Sequence, residues 1–338
     1  MAAAAAAEPE SQGHAKDYAV RALTLLPDSR VASAGEDGQI FLWTTADERC
    51  TRLTGRAPPA RASKAFIRRY HMLVSMVTLT DGRIAAGHDD GSLFVYSPDT
   101  SYLNHFRVGG EGTPYALAAL PGNRLACAVH DTNVEIWDAA RGKLLTILVD
   151  AHPQSVDLLA TLSDGRLAIG SSCSDYVHIW DIASRTCVKT LSVESPDSEE
   201  EESEISALCA LPDGRLATCH DNGTIRLWNV STGECVQTIT DHRIMYADSL
   251  IYLPSGHLAS ASDESMTIAV HSLETGMRVK VYDEEADDDD DKDEDYDNVK
   301  HVNALCALPC GGIVAGYSDG SCGFFPGIGA TASKDSSG

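Results

Sequence analysis

The chain has 50 acidic residues, 12 histidines and 10 cysteines among 338 residues. That is ample material for acid–base or metal chemistry, so spacing decides what it can do. The densest carboxylates form two runs. Glu194 to Glu204 holds seven, including Glu199, Glu200, Glu201 and Glu202. Asp283 to Asp297 holds twelve and one lysine, including Asp287, Asp288, Asp289, Asp290 and Asp291. General acid–base work needs two carboxyl groups at a fixed separation with one pKa raised. A low-complexity run fixes neither and reads as a disordered, solvated loop. Gly55 to Tyr70, GRAPPARASKAFIRRY, has the opposite sign, with Arg56, Arg61, Lys64, Arg68 and Arg69 and no acid. Pro58-Pro59 favours an extended backbone there. Gly109-Gly110-Glu111-Gly112 opens no helix, so it forms no phosphate cradle. The sequence contains no GxxxxGK[ST], GxSxG, HExxH or kinase motif set.

What positions these residues is a repeat. Ile205 to Trp228, ISALCALPDGRLATCHDNGTIRLW, reads as three short strands with tight turns at Leu211–Gly214 and His220–Gly223. The first turn recurs seven times, followed in order by Arg30, Arg83, Arg124, Arg166, Arg215, His257 and Gly312. These positions are spaced by 53, 41, 42, 49, 42 and 55 residues. Three spacings match a four-stranded propeller blade, and three carry inserts. The third strand ends in turn on Trp43, Tyr96, Trp137, Trp180, Trp228, His271 and Phe325. Outer strands are expected at Arg49–Thr54, Tyr102–Val108, Lys143–Val149, Thr186–Ser192, Glu234–Thr240 and Met277–Tyr282, which is six for seven units.

The unit resembles the WD repeat, and Trp137-Asp138 and Trp180-Asp181 carry its dipeptide. The resemblance runs from Gly13 to Phe325. It implies an all-β, seven-bladed propeller over 13–327, between a disordered leader at 1–12 and a disordered tail at 328–338. It also implies a hydrogen-bonded structural set in each blade: a histidine, a turn aspartate, a second-strand Ser or Thr, and the Trp. Blade one offers His14, Ser33, Asp37 and Trp43. Blade three offers Asp131 and Trp137. Blade four offers His152, Asp175 and Trp180. Blade five offers Thr218, Asp221 and Trp228 without a histidine, and blade six offers His242 and Asp263 without a Trp. None of these is expected to be catalytic. Blade seven is expected to have three good strands and at most a weak fourth, because MAAAAAAEPESQ has little strand propensity. The resemblance also places the three inserts on one face and the first turns, with their arginines, on the other. Each turn arginine is expected to pair with an aspartate nearby rather than bind an anionic partner. The basic insert is expected to lie loosely against the acidic ones.

The two acidic runs carry −18 of the formal net charge of −24, so the propeller itself is nearly ordinary. No apolar run reaches the 18 or so residues of a membrane span. The N-terminus lacks the charged and apolar regions of a signal peptide. Cys209 and Cys306 share one strand slot, Cys127 and Cys219 sit in second strands, and Cys187 and Cys235 in fourth strands. They read as small apolar side chains in a reducing compartment, cytoplasmic or nuclear. The inner strands ALTLL, ALAAL and ALCAL are small and apolar, which suits blade packing. The expectation is a non-enzymatic protein-interaction scaffold, a monomeric propeller within a larger complex. It needs no cofactor or metal, and its acidic face repels nucleic acid and anionic membranes. The alternative is a propeller whose acidic loops bind basic clients such as histones. An enzyme using the central channel is the remote third reading.

Overall fold

The computed structural model describes residues 13–14, 18–45, 49–53, 72–99, 101–109, 112–129, 132–192, 203–262, 267–283 and 300–328. The expected leader, most of the expected tail, all of the basic insert and most of both acidic runs lie outside them.

The hairpins form because each first turn satisfies its own backbone. In four blades the turn aspartate accepts the N–H of the arginine two residues on, at 3.0–3.2 Å, from Asp28, Asp81, Asp164 and Asp213. The residue between them needs a left-handed backbone, so Gly82, Gly165 and Gly214 sit at φ of 84–88°. Ser29 and Asn123 take the same region at 69° and 57°.

Seven antiparallel sheets follow in chain order. Blade one is β1 (Val20–Leu25), β2 (Val31–Gly35), β3 (Ile40–Thr44) and β4 (Arg49–Leu53). Blade two is β5 (Leu73–Thr78), β6 (Ile84–His88), β7 (Ser92–Ser97) and β8 (Ser101–Arg107). Blade three is β9 (Ala116–Leu120), β10 (Arg124–Ala128), β11 (Val134–Asp138) and β12 (Lys143–Leu148). Blade four is β13 (Leu158–Thr161), β14 (Leu167–Gly170), β15 (Val177–Asp181) and β16 (Thr186–Leu191). Blade five is β17 (Ile205–Ala210), β18 (Arg215–His220), β19 (Thr224–Asn229) and β20 (Glu234–Thr240). Blade six is β21 (Ser249–Leu253), β22 (His257–Ala261), β23 (Thr267–Ser272) and β24 (Arg278–Asp283). Blade seven has three strands, β25 (Val302–Ala307), β26 (Ile313–Tyr317) and β27 (Cys322–Phe325), and no described strand pairs outside β27.

The core is a ring of seven apolar clusters, one at each seam between neighbouring blades. At each seam that has one, the large residue ending the third strand packs on the preceding blade. Trp228 reaches blade four at 1 % exposure, and Trp180 reaches blade three. The ring closes where Trp43 and Phe41 of blade one meet Leu308, Val314 and Phe324 of blade seven. Antiparallel alternation puts the first turns on one face. The ends of β4, β16 and β24, which lead into the three inserts, lie on the other.

Candidate interaction surface

The polar side chains buried between blades were the first candidates for chemistry. In blade one, Trp43 Nε1 donates to Ser33 Oγ at 2.8 Å. Ser33 Oγ lies 2.8 Å from His14 Nε2, and His14 Nδ1 lies 2.9 Å from Asp37 Oδ1. One run of donors explains all three bonds: indole to hydroxyl, hydroxyl to imidazole, imidazole to carboxylate. The order Ser–His–Asp is that of a nucleophilic triad. Here, however, Ser33 is fully buried and its oxygen already holds the indole, so no substrate reaches it.

The other blades depart from the expected sets, each for a local reason. In blade five Trp228 Nε1 donates to Thr218 Oγ1 at 3.0 Å, and Thr218 meets His220 Nε2 at 2.9 Å. So this blade does carry a histidine, supplied by β18 itself. His220 is aligned with Gly35, where a Cβ would strike the His14 ring at 2.6 Å. Both blades therefore put an imidazole in the same space. His220 Nδ1 reaches Ser203 O at 3.1 Å, and burial, with Arg226 nearby, pushes its pKa down to about 4. Asp221 is not part of this set, since it falls one residue early. Asn222 stands where Asp37 does and accepts from Thr224 N at 3.2 Å, as Asp37 accepts from Gln39 N at 3.0 Å.

In blade four His152, Asp175 and Trp180 are not joined. Ile169 occupies the hydroxyl slot, so Trp180 Nε1 donates to Ala151 O at 2.9 Å. His152 is fully buried, stacks on Tyr176 at 4.9 Å and accepts from Gln154 N at 3.2 Å. Burial first, then His178, lowers its pKa. In blade three Trp137 Nε1 donates to Glu135 Oε2 at 2.9 Å, and Glu135 also accepts from Gly109 N at 2.9 Å. Burial raises the Glu135 pKa. In blade six the expected His242 is exposed, in a short turn at His242–Ile244. The buried imidazole is His271, in the Trp slot, 3.1 Å from Asp241, which also takes Arg278 at 2.8 Å. Glu135, His220, Asp241 and His271 were missed. The sequence signal for His220 was its alignment with Gly35. Asp131 and Asp263 lie outside the described residues, as do Glu199, Glu200, Glu201, Glu202, Asp287, Asp288, Asp289, Asp290, Asp291, Arg56, Arg61, Lys64, Arg68 and Arg69.

With its polar core used for stitching, the molecule presents its two faces and its rim. On the first-turn face, Arg30, Arg83, Arg166 and Arg215 each pair with the aspartate two residues earlier, at 2.6–2.7 Å. Those carboxyls are held below their usual range with the arginine bond as a cause, although at Asp81 and Asp213 partial burial opposes it most. Arg124 has no turn aspartate and donates to Pro121 O at 3.0 Å. A cleft of about 430 Å³ opens on this face beside Asp213, Arg215, His257 and Glu274. On the insert face the channel mouth, about 350 Å³, is lined by Arg21, Tyr115, Asp157 and Asp248 as well as by small apolar residues. The channel is thus more charged at its mouth than its inner strands suggested. Tyr115, Met245 and Tyr246 are exposed large side chains on the same face.

Residues 8–44 and 185–229 match the family described as "WD domain, G-beta repeat". Transducin beta-like protein 3 of Bos taurus is 27 % identical over 166 residues, which is 46 % of this chain but only 20 % of that protein's length. The guanine nucleotide-binding protein subunit beta of Oryza sativa subsp. japonica is 24 % identical over 275 residues, 74 % of this chain and 67 % of that one. COMPASS component SWD3 of Saccharomyces cerevisiae is 26 % identical over 163 residues, 47 % and 49 % of the two chains. The WD40 propeller domain of Doa1 superposes with a TM-score of 0.71 over 93 % of this chain and 94 % of that one, at 21 % identity, a likeness of fold. Seven recurring turns, seven packed seams and these matches make the chain a seven-bladed β-propeller of the WD-repeat type.

Proposed function

We propose that this chain is a non-enzymatic protein-interaction scaffold that works as a subunit of a larger assembly. The observation that supports this most is the closed set of seven packed seams, which makes the ring a rigid platform for its loops. The Oryza relative is by name a subunit of a guanine nucleotide-binding protein, and the yeast relative a component of COMPASS. All ten cysteines are free thiols, and burial pushes Cys209, Cys306 and Cys322 up to about 12. Unpaired thiols fit the cytoplasm or nucleus. No helix among the described residues is long and apolar enough to cross a membrane. The test is native size fractionation of cell extract, followed by activity assays on purified protein. The scaffold should run well above its own 36.1 kDa together with other proteins and show no turnover. Migration at its own mass, with a hydrolase or transferase activity lost on Asp157→Asn, overturns the reading.

A second reading rests on the sequence charge. Two runs carrying −18 leave strands that end on one face, so a basic client, such as a histone tail, is steered there. Replacing Glu194–Glu204 and Asp283–Asp297 by neutral Gly/Ser linkers of equal length should abolish salt-sensitive binding of a polybasic peptide. Unchanged binding removes this reading and leaves the first intact.

A further inference from the structure

The channel mouth on the insert face has two levels. Its upper lining includes Arg21, Tyr115, Asp157 and Asp248, which stand nine residues before Arg30, Arg124, Arg166 and His257 in turn. Two residues further along the chain the lining is apolar in every blade from two to seven: Met76, Leu117, Leu159, Leu208, Leu250 and Leu305. Two residues of strand set this ring roughly 6 Å below the mouth. The upper residues are exposed or half-exposed, whereas Met76, Leu250 and Leu305 are buried. Charge at the mouth is negative on balance. Arg21 donates through Nε to Glu36 at 2.9 Å, so its charge is balanced locally. Asp157 is held in place by the N–H of Ser172 at 2.8 Å. Asp157 and exposed Asp248 stand at the starts of β13 and β21, on either side of blade five. The cleft on the first-turn face is different. It mixes Arg215 with Asp213 and Glu274, and Leu273 is its one leucine.

Carboxylates above an apolar ring define what fits. The occupant needs a cation at the mouth and an apolar group directly beneath it. A lysine or arginine side chain has the reverse order. Its charge lies at the far end, so inserting it carries the cation past the carboxylates into the leucines, where desolvation is costly. A polypeptide N-terminus has the right order, because its ammonium and its first side chain share one carbon. We infer that the channel mouth binds the free N-terminus of a partner polypeptide whose first residue is large and apolar. Asp157 and Asp248 take the ammonium, and the leucine ring takes the side chain. A cavity of about 350 Å³ lies at the small end of ligand sites, which suits one residue. Beside it Tyr246 is exposed and held at φ of 55°, a left-handed backbone rare for a bulky side chain, with its N–H on Asp221 O at 3.1 Å. Tyr115 and Tyr246 offer their rings to the residues that follow the first. This inference rests on the interaction-scaffold reading and names one partner class for it.

Fluorescence anisotropy on the purified full chain, from about 1 to 1,000 µM, is the test. The probe is a neutral five-residue glycine–serine peptide that begins with leucine and carries a dye at its C-terminus. It should bind saturably. Acetylating its N-terminus should weaken binding about tenfold or more, and so should replacing the leucine by glycine. Asp248→Asn alone, and with Asp157→Asn, should weaken the free-amine peptide and leave the acetylated one unaffected, with melting curves unchanged. Equal binding of the free and acetylated peptides overturns the proposal, and that comparison needs no variant. No binding of the leucine peptide at any concentration overturns it too. So does tighter binding of an acetylated peptide with an internal arginine, which would make the mouth a reader of basic side chains. None of these results changes the outcome of native size fractionation, so the scaffold reading stands or falls separately.

Discussion

Blade five holds Trp228 at 1 % exposure against blade four, with its indole N–H on Thr218 and a fourth strand outside. Blade seven carries Phe325 in the same slot, half-buried against blade six, with only Pro326 and Gly327 beyond it before Ile328. Both share the first turn and the three-stranded meander. The difference shows that the meander alone makes a blade. The polar set and the outer strand add stability where they occur, and among the described residues the seam of blade seven is made by apolar side chains without them.

The largest test of this contrast is Trp228→Ala. Removing a fully buried aromatic should cost about 3–5 kcal/mol in denaturant unfolding, and Phe325→Ala should cost clearly less. Equal losses would mean that the two seams are held alike.

A pH titration sharpens the role of the polar set. His220 is neutral in the fold, with its pKa pushed down to about 4 from an ordinary value near 6.5. The unfolded chain therefore binds a proton first as pH falls. The stability that neutral His220 contributes is present above about pH 6.5 and is lost progressively down to about 4. His220→Gln should flatten this part of the stability profile relative to wild type. Parallel profiles would show that His220 is not the group titrating.

Thr218→Val strands the indole N–H of Trp228 and an imidazole nitrogen of His220 in the core. A loss of about 1–3 kcal/mol is expected by chemical denaturation. A change within error would mean that neighbouring groups replace the hydroxyl. Blade seven offers no such bond to break, so its signature is exchange. Alternate amides of β27 point away from β26, at an edge that no described strand covers, and should exchange much faster than those of Ile225–Trp228 in the middle of their sheet. Matching protection would mean that another strand covers the edge. The smallest effect should come from Arg166→Ala, which breaks a half-exposed pair with Asp164 and should cost no more than about 1 kcal/mol.

The blades themselves were legible from sequence because their signal is local and repeated. The turn, the alternation and the third-strand aromatic all lie within one unit, and the outer strands begin and end within about one residue of expectation. The polar sets were less legible because their partners come from different strands. In blade one Asp37 accepts from Gln39 N, whereas in blade five Asp221 lies one residue early and Asn222 stands in that place. His242 looked like a buried histidine by position, yet its turn points it outward and His271 pairs with Asp241 instead. Glu135 was invisible because a carboxylate in mid-strand normally faces water, and only Gly109 N and Trp137 Nε1 explain its burial.

The seam between blades one and seven has a kinetic consequence. Every other seam joins units adjacent along the chain, so it can form while the meanders collapse locally. This one brings Trp43 against Phe324, with ring centroids 6.0 Å apart and most of the sequence between them. Contacts of such separation are slow to find, because the intervening chain must be ordered first. Among the described residues no strand is shared between the two ends, so closure is an encounter of preformed side-chain surfaces. Blades one to six can thus assemble in order of synthesis, and the last event is the docking of blade seven against the first.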